Sequence, residues 1–332
     1  MSETAADVDT LAPDETVTEA SAVGLGAMVV VILAFSSSSS IVRLADAPAT
    51  AIAFWRMAMA VVLWHSWMAF KGIRITRVQW KRAILPGVSF GLNITLFFTA
   101  ITRTSIAHAE FIGGLTPLLV VPIGAKLFGE RIAVKALGWA LVAIAGMALV
   151  LFNGPPSNSA TIGGDAITFL AVGTWTSYIL FTKANRGDMD VTRFMGAISP
   201  IALLVIAPIA IGQGDVLDIP AHGWIYIATL ALLTGVLSHG LIVFAQHHLP
   251  VATIVILQVA QPALAVGWAF LLVDERVDSW QVLGGVIVIV SLALFVVTAK
   301  RVEATRRRSE LGPRTSVAGD VSPPEIAPGG PS

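Results

Sequence analysis

Residues 117–131, PLLVVPIGAKLFGER, and residues 262–276, PALAVGWAFLLVDER, repeat one pattern: a proline, an apolar stretch and a Glu-Arg pair at the same spacing. The proline and the glutamate of the first copy each recur 145 residues later. Each copy lies between two long apolar runs. A membrane protein built from two similar halves is typically a transporter, because the halves can rock against a shared site. The repeat therefore predicts an internally duplicated membrane transporter.

The composition favours lipid as the solvent. Hydrophobic residues make up 55% of the chain and charged residues only 13%, whereas a soluble domain has about 25% charged residues. The formal net charge is +0, which argues against nucleic acid as a partner. The chain has no cysteine, and its 6 histidines lack metal-ligand spacing, so we predict no disulfide, metal site or cofactor.

Ten apolar segments have the length, about 20 residues, that a helix needs to cross a bilayer. They are residues 22–43, 48–70, 83–102, 105–127, 134–152, 163–184, 192–212, 222–246, 251–273 and 279–299. The predicted fold is an all-α integral membrane protein with ten transmembrane helices in two five-helix repeats, residues 22–152 and 163–300. Residues 1–21 are acidic, and residues 301–332 are basic and then rich in Pro and Gly. Both terminal segments are predicted to be disordered.

The positions of Lys and Arg predict the direction of the spans. All of them except Arg43, Arg56, Arg103 and Arg276 fall on one predicted side. Basic residues accumulate on the cytoplasmic side of a membrane, so both termini are predicted to be cytoplasmic, with the chain passing many times through the inner (plasma) membrane of a bacterium. Because five is an odd number, the two five-span halves must have opposite orientations.

Several short motifs accompany the repeat. They are Ala53-Phe54-Trp55-Arg56, Pro117 with Gly129-Glu130-Arg131, Gly163-Gly164-Asp165, Gln261-Pro262 with Asp274-Glu275-Arg276, and Gln281-Val282-Leu283-Gly284. In this combination the chain resembles the EamA-type transporters of the drug/metabolite transporter superfamily over residues 22–300. Asp274 is a departure, since family members often have Gly at that position. The resemblance implies export or import of small metabolites, amino acids or drugs, without specifying the substrate.

Arg56 and Glu110 are charged residues inside predicted spans. An ionised side chain in a membrane is costly and needs a partner or a water-filled cavity. Both residues lie roughly 8–12 Å below the outer boundary, at 1.5 Å of rise per residue. We expect them to pair or to share a polar cavity, with both binding substrate and Glu110 also binding a proton. The alternatives are a fixed ion pair that holds helices together, or an Arg bonded to backbone carbonyls.

Polar and aromatic residues cluster near the predicted middle of the membrane. They are Asn93, Trp175, Tyr178, Gln258 and Gln261, together with the helix-breaking Pro117 and Pro262. Transporter sites often use interrupted helices at the repeat interface, and a proline frees a backbone carbonyl there. The five polar and aromatic residues are therefore predicted to bind substrate, with Trp175 and Tyr178 stacking from one helix face. Ordinary helix packing is the alternative.

Two histidines and two glutamates complete the set of candidates. Histidine titrates near neutral pH, so His65 and His239 are candidate proton relays, or simply hydrogen-bonded to a neighbour. Glu130 and Glu275 each precede the next span, where a carboxylate favours the positive end of the helix dipole. We therefore predict a structural role for both glutamates.

The predicted function is secondary active transport of small metabolites, amino acids or drug-like solutes by alternating access, with export as the favoured direction. The sequence contains no Walker A motif, so ATP hydrolysis by this chain is not expected, and we predict that it is not an enzyme. Three alternatives remain open: a facilitator or exchanger without proton coupling, a membrane-embedded enzyme, and a non-transporting subunit. The expected partners are a small-molecule substrate and the lipid bilayer, and a homodimer is one open arrangement.

Overall fold

A computed structural model of the chain describes residues 13–101, 103–104, 106–130, 134–152, 161–273 and 278–311. The regular elements within these residues are all helices. In chain order they are α1 (Pro13–Ser36), α2 (Ser38–Ala45), α3 (Ala49–Lys71), α4 (Arg77–Ile101), α5 (Ile106–Gly114), α6 (Thr116–Phe128), α7 (Val134–Phe152), α8 (Ile162–Asn185), α9 (Val191–Gln213), α10 (Gly223–Leu230), a π-helical segment (Ala231–Ser238), α11 (His239–His248), α12 (Val251–Leu257), α13 (Ala260–Val273) and α14 (Ser279–Leu311).

Eight stretches of the described chain are helical, long enough and apolar enough to cross a membrane. They are Ala22–Ala45, Arg77–Ile101, Ala109–Phe128, Val134–Phe152, Val191–Gln213, Gly223–His248, Val251–Leu272 and Ser279–Val302. The other two predicted spans are the helices α3 and α8, of 23 and 24 residues. These two helices are long enough, but they are more polar, with Arg56 and His65 inside α3. The chain is a multi-pass membrane protein, and the count of ten spans stays a prediction.

The structure differs from the prediction at both ends of the chain. Helix α1 begins at Pro13, inside the segment predicted to be disordered, and α14 continues to Leu311, beyond the predicted boundary at residue 300. The charged and polar residues at these ends therefore continue the helices past the apolar spans.

Much of the outer surface is apolar. Phe70, Leu204 and Val134 are 79%, 74% and 84% exposed, and many other large apolar side chains point outward. Exposed apolar area on this scale would be a liability in water. In a bilayer, however, it is solvated by lipid tails, as the composition predicts.

Three of the predicted spans are broken in the middle. Ser37 separates α1 from α2, Leu115 separates α5 from α6, and residues 258–259 separate α12 from α13. At the first break, the hydroxyl groups of Ser37 and Ser38 donate to the carbonyls of Ala34 and Phe35, at 2.8 and 2.7 Å. Such hydroxyl groups compete with the helix ladder for its carbonyls.

The second and third breaks carry the two repeated prolines. Pro117 and Pro262 each lie in the first turn after the break, where a missing N–H does little harm. Pro117 has no N–H to donate to the carbonyl of Gly113. That carbonyl instead accepts a hydrogen bond from the Thr116 hydroxyl at 2.6 Å. Both predicted breaks therefore occur, with the prolines just after them.

Helices of the first predicted half pack mainly against helices of the second half. The main pairs are α7 with α14, α4 with α8 and α9, α3 with α9, α1 with α11, and α6 with α12. The spacing of the repeat also recurs in the helix boundaries, because α5 and α12 begin 145 residues apart, as do α7 and α14.

Helices α7 and α14 approach each other through glycines. A Cβ atom added to Gly284 would lie 2.7 Å from the Gly146 carbonyl oxygen and 2.8 Å from a methyl carbon of Val150. A Cβ atom added to Gly146 would likewise lie 3.0 Å from the Gly284 oxygen. Small residues allow such backbone contact between membrane helices. The next residue, Gly285, has no such neighbour within 4 Å.

Candidate functional site

A cavity of about 160 Å³ lies where the broken helices meet. All three breaks contribute to its wall, through Ser36, Gly114 and Gln258 among other residues. Trp175 of α8 and Thr234 of the π-helical segment also line it. The cavity is therefore enclosed by helices from both predicted halves.

Most of the predicted site residues meet at this cavity. The wall contains Arg56, Asn93, Glu110, Trp175, Gln258, Gln261, His239, Pro117 and Pro262. Of the residues predicted to bind substrate or to relay a proton, Tyr178 and His65 are not part of it. The sequence therefore identified many of the residues that line the cavity, although their roles stay predictions.

Arg56 is buried at one side of the cavity. It is 5% exposed, and its guanidinium carbon lies 5.7 Å from the centre of the Phe98 ring. Within the described residues its single hydrogen bond joins Nη2 to Nε2 of His239, at 3.3 Å. Its Nε atom is buried without a partner. The ion pair with Glu110 that the sequence suggested is not formed, but the alternative, a shared cavity, is present.

Glu110 is a partly buried residue of the short helix α5. Its side chain lines the cavity, and the described part of the chain gives its carboxylate no hydrogen bond or ion pair. Two opposite charges therefore line one cavity without neutralising each other by direct contact. Such residues inside a membrane typically mark a solute or ion pathway.

His239 lies between Arg56 and a group of aromatic rings. It is 3% exposed, and its ring centre is 4.4 Å from that of Phe90 and 5.1 Å from that of Phe35. Because arginine can only donate, Nε2 of His239 must accept, and the neutral ring then carries its proton on Nδ1. That Nδ1 atom is buried and has no hydrogen-bond partner among the residues that the structure describes.

The π-helical segment directly precedes His239 and was not foreseen. The Ser238 hydroxyl donates to the carbonyl of Leu233, five residues earlier, at 2.7 Å. Single π turns inside α-helices often occur at functional sites. In the sequence, only the small and hydroxyl residues Thr234, Gly235 and Ser238 mark the segment, which is too weak a signal to predict it.

Tyr178 is part of the core rather than of the cavity wall. Its side chain is 0% exposed and stacks on Phe90, with ring centres 4.8 Å apart. Trp175, one turn earlier on the same face, reaches the cavity. Tyr178 is not part of the cavity wall, so its predicted contact with substrate stays a prediction. Three residues along a helix turn the two side chains apart by about 60°.

His65 also lies away from the cavity. Its Nδ1 atom is 3.0 Å from the carbonyl oxygen of Val61 in the preceding turn of α3. A hydrogen bond to a neighbour was the alternative for this residue, and it is what the structure shows. His65 therefore does not line this cavity, and its role as a proton relay stays a prediction.

Two amide side chains differ in how firmly they are held. Asn93 donates to the carbonyl of Ala171 at 2.9 Å and thereby joins α4 to α8, so it has a packing role as well as a place in the wall. The Nε2 atom of Gln261, by contrast, is buried and has no partner in the described part of the chain. Its backbone N–H donates to the carbonyl of Gln258 at 2.9 Å, across the third break.

Glu130 stabilises a helix of the opposite half. Its carboxylate accepts hydrogen bonds from the backbone N–H groups of Val251, at 2.9 Å, and Ala252, at 3.2 Å, and it pairs with the Lys183 ammonium. The prediction placed this charge at the helix that follows it in sequence, whereas the structure shows it capping α12. Glu275 lies outside the described residues.

A second set of contacts joins α8 to α11 near Lys183. An amino group of Arg186 donates to the carbonyl of Val243, and Gln246 donates to the carbonyl of Ile179 at 3.3 Å. Burial lowers the pKa of Arg186 to about 10, so this side chain stays protonated at neutral pH. This end of the molecule is therefore rich in contacts between helices.

The sequence profile of the EamA-like transporter family matches residues 20–152 and 162–297. The chain belongs to the EamA-like transporter family. The family is part of the drug/metabolite transporter superfamily, which confirms the resemblance seen in the sequence.

Two transporters are similar to this EamA-family chain. The pseudopaline exporter CntI of Pseudomonas aeruginosa is 24% identical over 263 residues, which cover 77% of this chain and 90% of CntI. The uncharacterised transporter YyaM of Bacillus subtilis (strain 168) is 26% identical over 200 residues, which cover 56% of this chain and 65% of YyaM. These likenesses indicate a transporter rather than an enzyme.

A solved crystal structure has the same fold. Its TM-score against this chain is 0.63 at 18% identity, and the match covers 86% of this chain and 99% of the other. At that identity the likeness shows the fold alone.

Proposed function

We propose that this EamA-family protein is a secondary transporter that carries a small solute through the cavity by alternating access. The observation that carries the proposal is a cavity between the two halves that contains two unpaired opposite charges, Arg56 and Glu110. Neither charge stabilises the fold through an ion pair with a described residue. A solute that bears charged groups supplies the partner that each of them lacks.

The architecture that we propose is ten spans in two inverted five-span repeats, with α3 and α8 as the second and sixth spans. Three features support it. The prolines and glutamates recur with an offset of 145 residues, the helix starts of α5 and α12 and of α7 and α14 share that offset, and the halves pack against each other. Such repeats place the substrate site at their interface, where helices are interrupted.

Glu110 is the residue that we propose for coupling. A carboxylate inside a membrane is more stable when a proton or a cationic group neutralises it. One carboxylate cannot hold both at once, so binding of a solute amine releases the proton. That competition couples outward movement of the solute to inward movement of protons.

Export across the inner membrane of a bacterium, with both termini cytoplasmic, is the direction that we propose. The support is the bias of Lys and Arg toward one predicted side and the likeness to a relative named as an exporter. We propose small metabolites, amino acids or drug-like compounds as solutes, in line with the small volume of the cavity.

The test is solute flux in proteoliposomes that contain a trapped pH dye. Wild-type protein and Glu110→Gln would be compared under an imposed pH gradient with amino acids, small metabolites and cationic aromatic compounds. Asp188→Asn is the matched control, since it also converts an acid to an amide, but at a residue whose side chain is 86% exposed. We expect solute-dependent proton movement that Glu110→Gln abolishes and Asp188→Asn retains.

Other outcomes separate the alternatives. Solute flux without proton movement would replace the coupled mechanism with a facilitator or an exchanger and would remove the role of Glu110. The absence of flux for every compound, from protein that is folded and inserted, would contradict the transport function.

A further inference from the structure

We propose that Arg56, His239 and Gln261 form a subsite for a carboxylate group of the transported solute, an inference that rests on the transport function proposed above. The three side chains come from α3, α11 and α13, and all of them line the same cavity. The subsite specifies the class of the solute, which neither the family nor the named relatives determine.

The first argument concerns charge. Arg56 is 5% exposed, and no acidic side chain of the described chain pairs with it. A buried cation needs an anion or several hydrogen-bond acceptors near it. Arg56 has one such acceptor, Nε2 of His239. A solute anion provides the missing negative charge.

The second argument concerns hydrogen-bonding groups. Three buried nitrogen atoms of wall residues lack a partner within the described chain: Nε of Arg56, Nδ1 of His239 and Nε2 of Gln261. All three carry a hydrogen, since the Arg56 contact requires His239 to accept at Nε2 and to be protonated at Nδ1. The fully buried oxygen atoms without a partner in the described chain belong to residues outside the wall. The carboxylate of Glu110, which also lacks a partner there, is only partly buried. A set made only of donors fits an acceptor, not a cation.

The third argument selects a carboxylate among the anions. The guanidinium group presents two parallel N–H bonds that match the two oxygens of a carboxylate. The subsite holds a single formal positive charge, because His239 is neutral while its Nε2 accepts from Arg56. A dianion such as phosphate would keep an uncompensated charge there.

The rest of the wall completes the description of the solute. Glu110 lies on the same cavity and fits a positive group, while Trp175 and Phe97 add aromatic surface. We therefore infer that the solute is a small molecule with a carboxylate, a positively charged group and an apolar portion.

The experiment compares acids with their amides, which have nearly the same shape but no negative charge. Purified full-length protein in lipid nanodiscs would be titrated with benzoate and benzamide, 3-phenylpropionate and 3-phenylpropanamide, and L-phenylalanine and L-phenylalaninamide. Thermal stabilisation gives the affinity of each. Sodium chloride and inorganic phosphate at equal ionic strength show whether any anion suffices. We expect the acids to bind at least about tenfold more tightly than their amides.

Variants test whether the preference for acids over amides arises at the subsite. Arg56→Gln and His239→Gln should remove most of the difference between acid and amide, and Arg56→Lys should keep part of it because the charge remains. His65→Gln is the matched control, since His65 lies off the cavity, and it should retain the wild-type preference. The comparison on wild-type protein needs no variant, so misfolding of Arg56→Gln does not prevent the test.

The assignment is overturned by equal binding of acids and amides, by no binding in the whole panel, or by equal stabilisation with chloride or phosphate. Failure of the transport function has a different signature. Acid-selective binding without flux would retain the subsite and contradict transport. Flux of acids and amides at equal rates would retain transport and contradict the subsite.

Discussion

Glu130 offers a sharp test of how the two halves are joined. Its side chain is 8% exposed, accepts two backbone N–H groups at the start of α12 and pairs with Lys183. Glu130→Ala removes all of these contacts at once. Glu130→Gln retains the shape and one acceptor oxygen, but it removes the charge.

The magnitude follows from the contacts. Loss of a helix cap costs about 1–2 kcal/mol. Leaving Lys183 without its partner adds about 1–2 kcal/mol. This second cost is less than for a fully buried pair because the Lys183 side chain is 25% exposed. We therefore expect Glu130→Ala to lower the free energy of unfolding by about 2–4 kcal/mol and Glu130→Gln by roughly half as much. For a chain of 332 residues the first change corresponds to a fall in Tm of about 3–6 °C.

The assay is thermal unfolding of the purified protein in mild detergent, followed by tryptophan fluorescence. Asp188→Asn is the control, because it removes the ion pair of Asp188 with Arg82, in which the side chains are 86% and 45% exposed. Exposed pairs contribute little, so its Tm should stay close to wild type. Equal Tm values for Glu130→Ala and Asp188→Asn would refute the view that Glu130 holds the halves together.

Three further predictions follow from the same contacts. Gly284→Ala should destabilise the protein by about 1–3 kcal/mol because its Cβ atom would meet backbone and side-chain atoms of α7. Gly285→Ala, where the space is open, should be neutral or stabilising by up to about 1 kcal/mol. Chemical denaturation measures both stabilities, and equal values would contradict the close approach of α7 and α14. Tyr178→Ala should cost about 3–5 kcal/mol of stability, while Trp175→Ala should mainly lower solute flux. Both variants would be measured by thermal unfolding and by flux. A large loss of stability in Trp175→Ala with a loss of flux alone in Tyr178→Ala would contradict the assignment of Tyr178 to the core and Trp175 to the cavity wall. His65→Gln should leave proton-coupled flux unchanged in proteoliposomes, and its loss would return His65 to the relay.

Much of the site could be predicted because its signals are rare residues in an apolar background. A single Arg, Glu or Gln inside a span is conspicuous, and its cost in lipid indicates a shared polar cavity. Arg56, Glu110 and Gln261 indeed line one cavity. Two of the three helix breaks were likewise predictable, since Pro117 and Pro262 cannot continue an uninterrupted hydrogen-bond ladder.

What could not be predicted depends on contacts between distant parts of the chain. Glu130 caps a helix that begins 121 residues later, and local sequence gives no information on that partner. The three-residue spacing of Trp175 and Tyr178 on α8 treats the two rings alike, and only the helices packed around them decide which ring is buried in the core. The contact of His239 with Arg56 joins residues 183 positions apart, and His239 directly follows a π-helical segment that has no clear sequence signal.

Arg56 illustrates how the structure decides between two interpretations of one residue. The sequence allowed a fixed ion pair that holds helices together or a residue of the solute pathway. An ion pair with Glu110 is not formed, and the His239 contact brings no negative charge. A position needed only for packing is better filled by an apolar side chain, because replacing buried charges with apolar groups is often neutral or stabilising. A buried arginine with unused donors beside a cavity is therefore better explained by an anion that binds there than by the stability of the fold.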